Sequence, residues 1–461
     1  MTISKKQRPY CLRWRASLAF VLAITSGIVT LGTPSHAAAT GASADSYTPA
    51  PPEPGTDIPT ADVKFAMRPY ADNTFYVIAM KKGWFKDVGI NMVPPPYGLK
   101  VTDTNVIALL LNGQVEISTE FIPLLLPSYK SAKTLKCIAF TDNFLGEAIL
   151  ANPNLHLKSF KDFIAQGMSF EQAIRQALLP LQGKTLVGAP ELSDRPFEEA
   201  AAKFAKVQWQ LQVLDDSKSL VLAKSGREDF VNPEGAPVVY TLKQAGWTDL
   251  LDNGDLYKYG PAGVDSPIEP LVAIVGIASN SDYVNSHQNT ILRFLSVVWR
   301  AIAETKKDPS LFDLQAPYLN SVAGTGLDGK GVQSTVESLD PLSPFEYNTT
   351  YCDDVSNVLY FKNAWTAIIK DYTNHGIIPE GAVAPEQIIW AAAIWHQMRE
   401  YRDKTDVMIK ALETKSLSSD GQSLLSKAKQ YFQMYDFLDA YRLASAASMS
   451  VSKPESAANE R

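Results

Sequence analysis

The chain has 461 residues, a formal net charge of −6, 46% hydrophobic and 20% charged residues. That is long enough for two domains with substantial cores and ordinary for a globular protein. The acidic balance argues against a surface that gathers nucleic acid or anionic membrane.

Residues 1–38 read as a secretory signal peptide. Lys5, Lys6, Arg8, Arg13 and Arg15 precede an apolar run at 18–31, and Pro34-Ser35-His36-Ala37-Ala38-Ala39 offers a small-residue cleavage site. The run is short for a bilayer span, and Cys11 precedes it, so it is misplaced for lipid modification. Removing those five basic residues takes the net charge to about −11. Cys137 and Cys352 then remain; they could pair in an oxidising compartment or stand as two separate buried thiols. Residues 39–61, rich in Pro, Ala, Ser and Thr, read as a disordered linker.

Residues 62–93 set the pattern for the rest. Val63, Phe65 and Met67 alternate as in a pleated strand, and Pro69 ends it. Asp72 and Asn73 are placed to cap a helix carrying Phe75, Val77, Ile78 and Met80. Gly83 and Gly89 turn the chain into a second strand at Ile90, Met92 and Val93. A helix is expected at 101–111, a short strand at 115–119, a helix at 121–130 and strands at 135–140 and 145–153. A helical insertion occupies 155–183, with strands at 184–188 and 208–214 around a helix ending near 206. A short helix follows at 217–224 and a strand at 235–241. The apolar run 271–277 suits a fully buried strand. Residues 289–306 place Ile291, Leu292, Leu295, Val298, Trp299 and Ile302 on one helical face, and helices follow at 355–374, 385–402 and 416–445. This alternation predicts α/β sheets with crossover helices, whose ligands sit at the carboxyl ends of strands.

The string YADNTFYVIAMKKGWFKDVGI, with Gly83-Trp84-Phe85-Lys86-Asp87-Val88-Gly89-Ile90 at its end, resembles the opening unit of ABC-transporter substrate-binding proteins of the nitrate/sulfonate/taurine (NitT/TauT) family, which includes thiamine-precursor-binding proteins. DYTNHGIIPEG resembles a late helix of the same family, and the resemblance spans about residues 62–394. It implies a periplasmic-binding-protein type II fold: lobe 1 from 62–143 and 270–405, lobe 2 from 144–269, two crossovers, and a C-terminal helical extension and tail at 406–461. It implies capture of a small polar organic or anionic ligand between the lobes by a monomer that delivers it to an ABC permease, without turnover.

On the first lobe the expected ligand contacts are Tyr70, Asn73 and Tyr97, with Thr119 and Glu120 beside them; on the second they are Ser193, Arg195 and Tyr240. The family's small-residue turn is replaced here by Glu191, Ser193, Asp194 and Arg195, which weakens the case for a simple anion. A carboxylate from Glu120 in the cleft would favour an amine or other donor-rich ligand over nitrate. No metal site or cofactor is indicated: the histidines are scattered and no HExxH or CxxC occurs. Gly324-Thr325-Gly326-Leu327-Asp328-Gly329 matches a dinucleotide pattern, but no strand immediately precedes it, and it reads as a surface loop. An exported enzyme and a ligand-sensing module on the same fold are the alternative readings.

Overall fold

The structure is a computed structural model that describes residues 46–190, 195–261 and 266–451. The expected signal peptide and Ser193 lie outside them. Two sheets organise the chain. The first is built from β1 (Ala61–Met67), β2 (Ile90–Val93), β3 (Leu99–Lys100), β4 (Ile117–Phe121), β5 (Leu135–Asn143) and, from much later in the chain, β11 (Ile274–Asn280). Its order is β2-β1-β4-β11-β5, with β3 also on β1. The second holds β6 (Ala148–Ala151), β7 (Thr185–Gly188), β8 (Gln210–Val213), β9 (Phe230–Asn232) and β10 (Thr248–Asp252) in the order β10-β6-β9-β7-β8. Parallel pairs form β1 with β2 and β4, and β7 with β8 and β9. β11 runs antiparallel to both neighbours. This is a two-lobed α/β architecture.

The first lobe is held by an aromatic knot. Phe65 of β1 lies 5.1 Å from Tyr76 and 5.5 Å from Phe294, and Phe85 lies 5.4 Å from Phe294, ring centre to ring centre. Phe294 belongs to the helix Gln288–Lys307, whose apolar face (Ile291, Leu292, Leu295, Val298, Trp299 and Ile302) is buried. The helical period legible in the sequence is therefore the stripe that the sheet covers.

Two segments cross between the sheets, one after β5 and one before β11. They run side by side: Phe144 N–H donates to Ala273 O at 2.8 Å, and Asn253 Nδ2 donates to Phe144 O at 2.9 Å. Gly276 on β11 lets that strand approach β5 closely. A Cβ there would stand 2.1 Å from Ala139 O, where the β11–β5 register shifts.

Several elements differ from the sequence reading. Residues 236–244 form a helix, not a strand, because Pro237 and the Gly235 N-cap favour a helix start. Expected helix 121–130 reduces to the 3₁₀ turn Ile122–Leu125. Helix Ala71–Thr74 begins one residue before Asp72, so Asp72 and Asn73 are buried within its first turn and do not cap it. The glycine-rich decoy joins two helices: Gly324 ends Phe312–Ala323 in the left-handed region (φ 72°), and Asp328 caps Gly329–Leu339. Cys137 and Cys352 are free, buried thiols.

Of the expected linker, residues 46–60 are described, and they lie extended along the body without helix or strand. Tyr47 is buried and donates its hydroxyl to Gln397 Oε1 at 2.5 Å, while Gln288 Oε1 accepts from Ala50 N–H at 2.7 Å. Arg442 on the C-terminal helix Phe437–Ser448 donates to the carbonyls of Glu53, Pro54 and Asp57 at 2.9, 3.2 and 3.1 Å. Low-complexity composition thus gives a segment with no regular structure, which specific side chains of the body nevertheless hold in place. The same helix places Asp439 against two buried arginines: Arg293 Nε at 2.7 Å and Arg442. Asp439→Asn should cost about 3–5 kcal/mol, because two buried guanidinium charges are then left to share the Glu53 carboxylate. Urea unfolding checks this, and limited proteolysis should show earlier cleavage within 46–60.

Candidate functional site

The carboxyl end of β1 meets the second lobe at a small cleft. Arg68, the residue after the strand, is nearly buried; its own N–H donates to Thr119 Oγ1 at 3.0 Å, which ties it to β4. Its guanidinium makes two ion pairs: Nε with Asp103 Oδ1 at 2.5 Å, and Nη2 with Glu234 Oε1 at 2.6 Å. Asp103 opens the first-lobe helix Asp103–Leu111, and Glu234 follows β9 in the second lobe. Tyr70 joins the same bridge. Its ring centre lies 4.7 Å beneath Arg68 Cζ, and its hydroxyl donates to Glu234 Oε2 at 2.5 Å.

Glu234 is held from below by Asp216, which accepts from Glu234 N–H at 3.1 Å and Gly235 N–H at 2.7 Å. Gly235 is needed for closeness: a Cβ there would stand 2.7 Å from Asp216 Oδ2 and 3.1 Å from the Tyr70 ring.

Around this bridge lies a cavity of about 330 Å³, its mouth included. Arg68, Tyr70, Asp72 and Asn73 line it from the first lobe, and Glu147, Glu234 and Ala236 from the second. Phe121 at the end of β4, Val275 on β11 and Phe144 on the first crossing complete its lining. The lobes are drawn close together, so little of the space is wider than a water molecule.

The charges in and behind this cavity are unbalanced. Among the described residues lining it, Arg68 is the one cation. Burial alone would lower its pKa, but Asp103 and Glu234 outweigh that and hold it firmly charged. Asp72 is pushed up by burial, against the Asn73 amide and Arg68. Glu120 is pushed well up by burial and by Asp103, with Arg68 opposing; its Oε1 accepts from Phe121 N–H at 3.0 Å, and its Oε2 has no hydrogen-bond partner. Asp142 is raised by burial and by Asp72, and Asp340 by burial, Asp72 and Asp142. Glu147 is raised by burial and by Glu198. Each is a carboxylate removed from water with too little positive charge nearby.

The residues expected from sequence divide clearly. Tyr70 and Asn73 line the cavity. Thr119 and Glu120 lie beside it on β4, fully buried. Tyr97 instead packs edge-on against Tyr318 at 5.2 Å. Arg195 is turned inward at the start of its helix, donating to Glu198 and to Ala189 O. Tyr240 lines a separate hollow with Lys161, Lys243 and Asp255, because the helix at 236–244 carries it about 6 Å along the axis from Ala236. Unanticipated were Arg68, Asp72, Glu147, Glu234 and the aromatic part of the lining. Arg68 and Phe144 lay in strand-end loops that the sequence pointed to. Glu234 follows a three-residue strand, too short to show a period.

No family model matches the chain, and no curated protein does either. Solved structures similar to it include the periplasmic aliphatic sulphonate-binding protein SsuA from Escherichia coli, at 14% identity and TM-score 0.49, covering 73% of this chain and 99% of that one. The nitrate-binding protein NrtA from Synechocystis PCC 6803 shares 12% identity at TM-score 0.48, covering 73% and 88%. A ligand-binding component of an ABC-type import system from Staphylococcus aureus shares 9% at 0.48, covering 73% and 98%.

Two outcomes follow. Arg68→Gln should cost about 3–5 kcal/mol at pH 8, measured by urea unfolding, because Asp103 and Glu234 lose their buried counter-ion; the cost should shrink at pH 5, where carboxylates can take up protons. Glu147→Gln should stabilise the protein at pH 8. With a folded pKa above the unfolded one, the wild-type carboxyl contributes stability that is complete below the unfolded pKa and lost as pH rises through the folded pKa. A neutral amide escapes that loss, so the advantage of the variant should grow from pH 5 to pH 8 in chemical denaturation.

Proposed function

We propose that this chain is the extracytoplasmic solute-binding component of an ABC importer. It captures a small polar ligand between two lobes and presents the closed form to a membrane permease. The observation that supports this reading best is the cavity itself. It is lined by residues of both lobes, with Phe144 of the first crossing between them, so a ligand there would touch both lobes and bias their closure. The sequence resemblance of residues 62–394 to NitT/TauT binding proteins agrees with it. The contacts that bridge the cavity are polar, the Arg68–Glu234 ion pair and the Tyr70–Glu234 hydrogen bond, while beside it the first-lobe helix Gly329–Leu339 sets Leu339 into an apolar cluster of the second lobe. Opening would break those polar contacts and draw Leu339 from that cluster, while the large core of the first lobe stays packed.

Thermal unfolding against nitrate, sulfonates, amino acids, polyamines and thiamine precursors tests the reading. A ligand at a hundred times its dissociation constant should add about 2.7 kcal/mol. Small-angle scattering should also show Glu234→Ala more extended than wild type without ligand, and ligand should restore the smaller radius. A folded protein that no compound stabilises, or one whose radius is indifferent to ligand and to Glu234→Ala, would count against a binding protein that works by closure.

A further inference from the structure

We infer that the cleft is built for a small organic cation, one carrying an ammonium or amidinium group, and that it excludes nitrate and sulfonates. This rests on the binding-protein reading above and names its ligand class.

The first argument is charge. Arg68 is already committed to Asp103 and Glu234. Asp72 and Glu147 line the same cavity with their residues only 4% exposed, and neither has a guanidinium or ammonium against it at ion-pair distance. Glu120 and Asp142 stand close behind, both fully buried, each with one carboxylate oxygen lacking a hydrogen-bond partner. An anion entering this space would meet no uncommitted cation in a low-dielectric site, whereas a cation would supply the positive charge that the carboxyls need in order to ionise.

The second argument is independent of charge. Asn73 is 1% exposed and lines the cavity. Its amide nitrogen donates to Asp72, which leaves its Oδ1 buried without a partner. An acceptor left open beside a cavity calls for a donor, and an ammonium or amidinium brings several. The walls fit the same class: Phe121 and Phe144 add aromatic surface of the kind against which a desolvated organic cation rests. Among the described residues no group of three His, Cys, Asp or Glu converges as metal ligands do, which favours an organic cation over a metal ion.

Proton linkage should accompany binding. Glu147 faces Glu198 and Tyr257 within its own lobe, Arg68, Asp72 and Glu234 around the cavity, and Asp371 and Tyr372 in the adjoining crevice; Arg195 is already paired with Glu198. A ligand cation placed here lowers the pKa of the carboxyls it meets, so protons leave as it enters and affinity rises with pH.

Isothermal titration of the purified full chain with agmatine, putrescine and choline, beside nitrate and taurine, tests the inference. Expected are binding of at least one cation, proton release revealed by buffers of different ionisation heat, and at least tenfold weaker binding in Glu147→Gln, which should fold at least as well as wild type. Binding of nitrate or taurine without any cation would overturn the charge assignment and leave the binding-protein reading standing. Cation binding unchanged in Glu147→Gln and in Asp72→Asn would overturn the assigned place. Silence from every compound in a folded sample would overturn both readings.

Discussion

A single buried guanidinium organises the functional end of this molecule. Arg68 stands at the end of β1, and its two ion-pair partners come from different lobes. Taking such a charge out of water is tolerable only when its partners are in place. The turn carrying Glu234 is therefore constrained by a residue more than 160 positions earlier in the chain. Tyr70 reinforces the constraint from the side, and Gly235 allows the approach because any larger residue would strike Asp216. The lobes meet here through polar contacts, and beside them through Leu339, which the first-lobe helix Gly329–Leu339 sets into an apolar cluster of the second lobe.

The two lobes are not equivalent. The C-terminal helices Ala391–Glu413 and Phe437–Ser448, together with the strapped segment 46–60, all anchor to elements of the first lobe. Trp390 N–H donates to Cys137 O on β5 at 2.9 Å, and Arg293 on the central helix binds Asp439. The extension thus thickens one lobe and leaves the other a lean five-stranded sheet with its own helices. Movement of the lighter lobe about the paired crossings is the natural expectation of that asymmetry.

The acid-rich interior of the cleft gives the same geometry a chemical character. Burial raises the pKa of Asp72, Glu120, Asp142, Glu147 and Asp340 together. Evolutionarily inert buried acids are normally paired or replaced by apolar residues of similar size. Their concentration around a cavity lined by both lobes instead matches a site that waits for positive charge.

How much of this could be read without the fold depends on range. Alternation at Val63, Phe65 and Met67 and the apolar stripe on residues 289–306 are local patterns, and they marked a strand and a helix correctly because period and burial coincide. Strand-end loops likewise drew attention to Tyr70, Asn73, Thr119 and Glu120, since parallel sheets leave those ends open. The residues 236–244 went astray because β-branched Val238 and Val239 suit a strand, while Gly235 and Pro237 start a helix. Local sequence alone determined the α/β alternation, the elements around β1 and the polar character of their ends. Only tertiary structure decided that Glu234 faces Arg68, that Arg195 turns away to Glu198, and that the Pro-rich segment 46–60 is held. Each of those depends on charges and backbone groups far apart in the chain, and no local pattern encodes which distant partner will neutralise a buried charge.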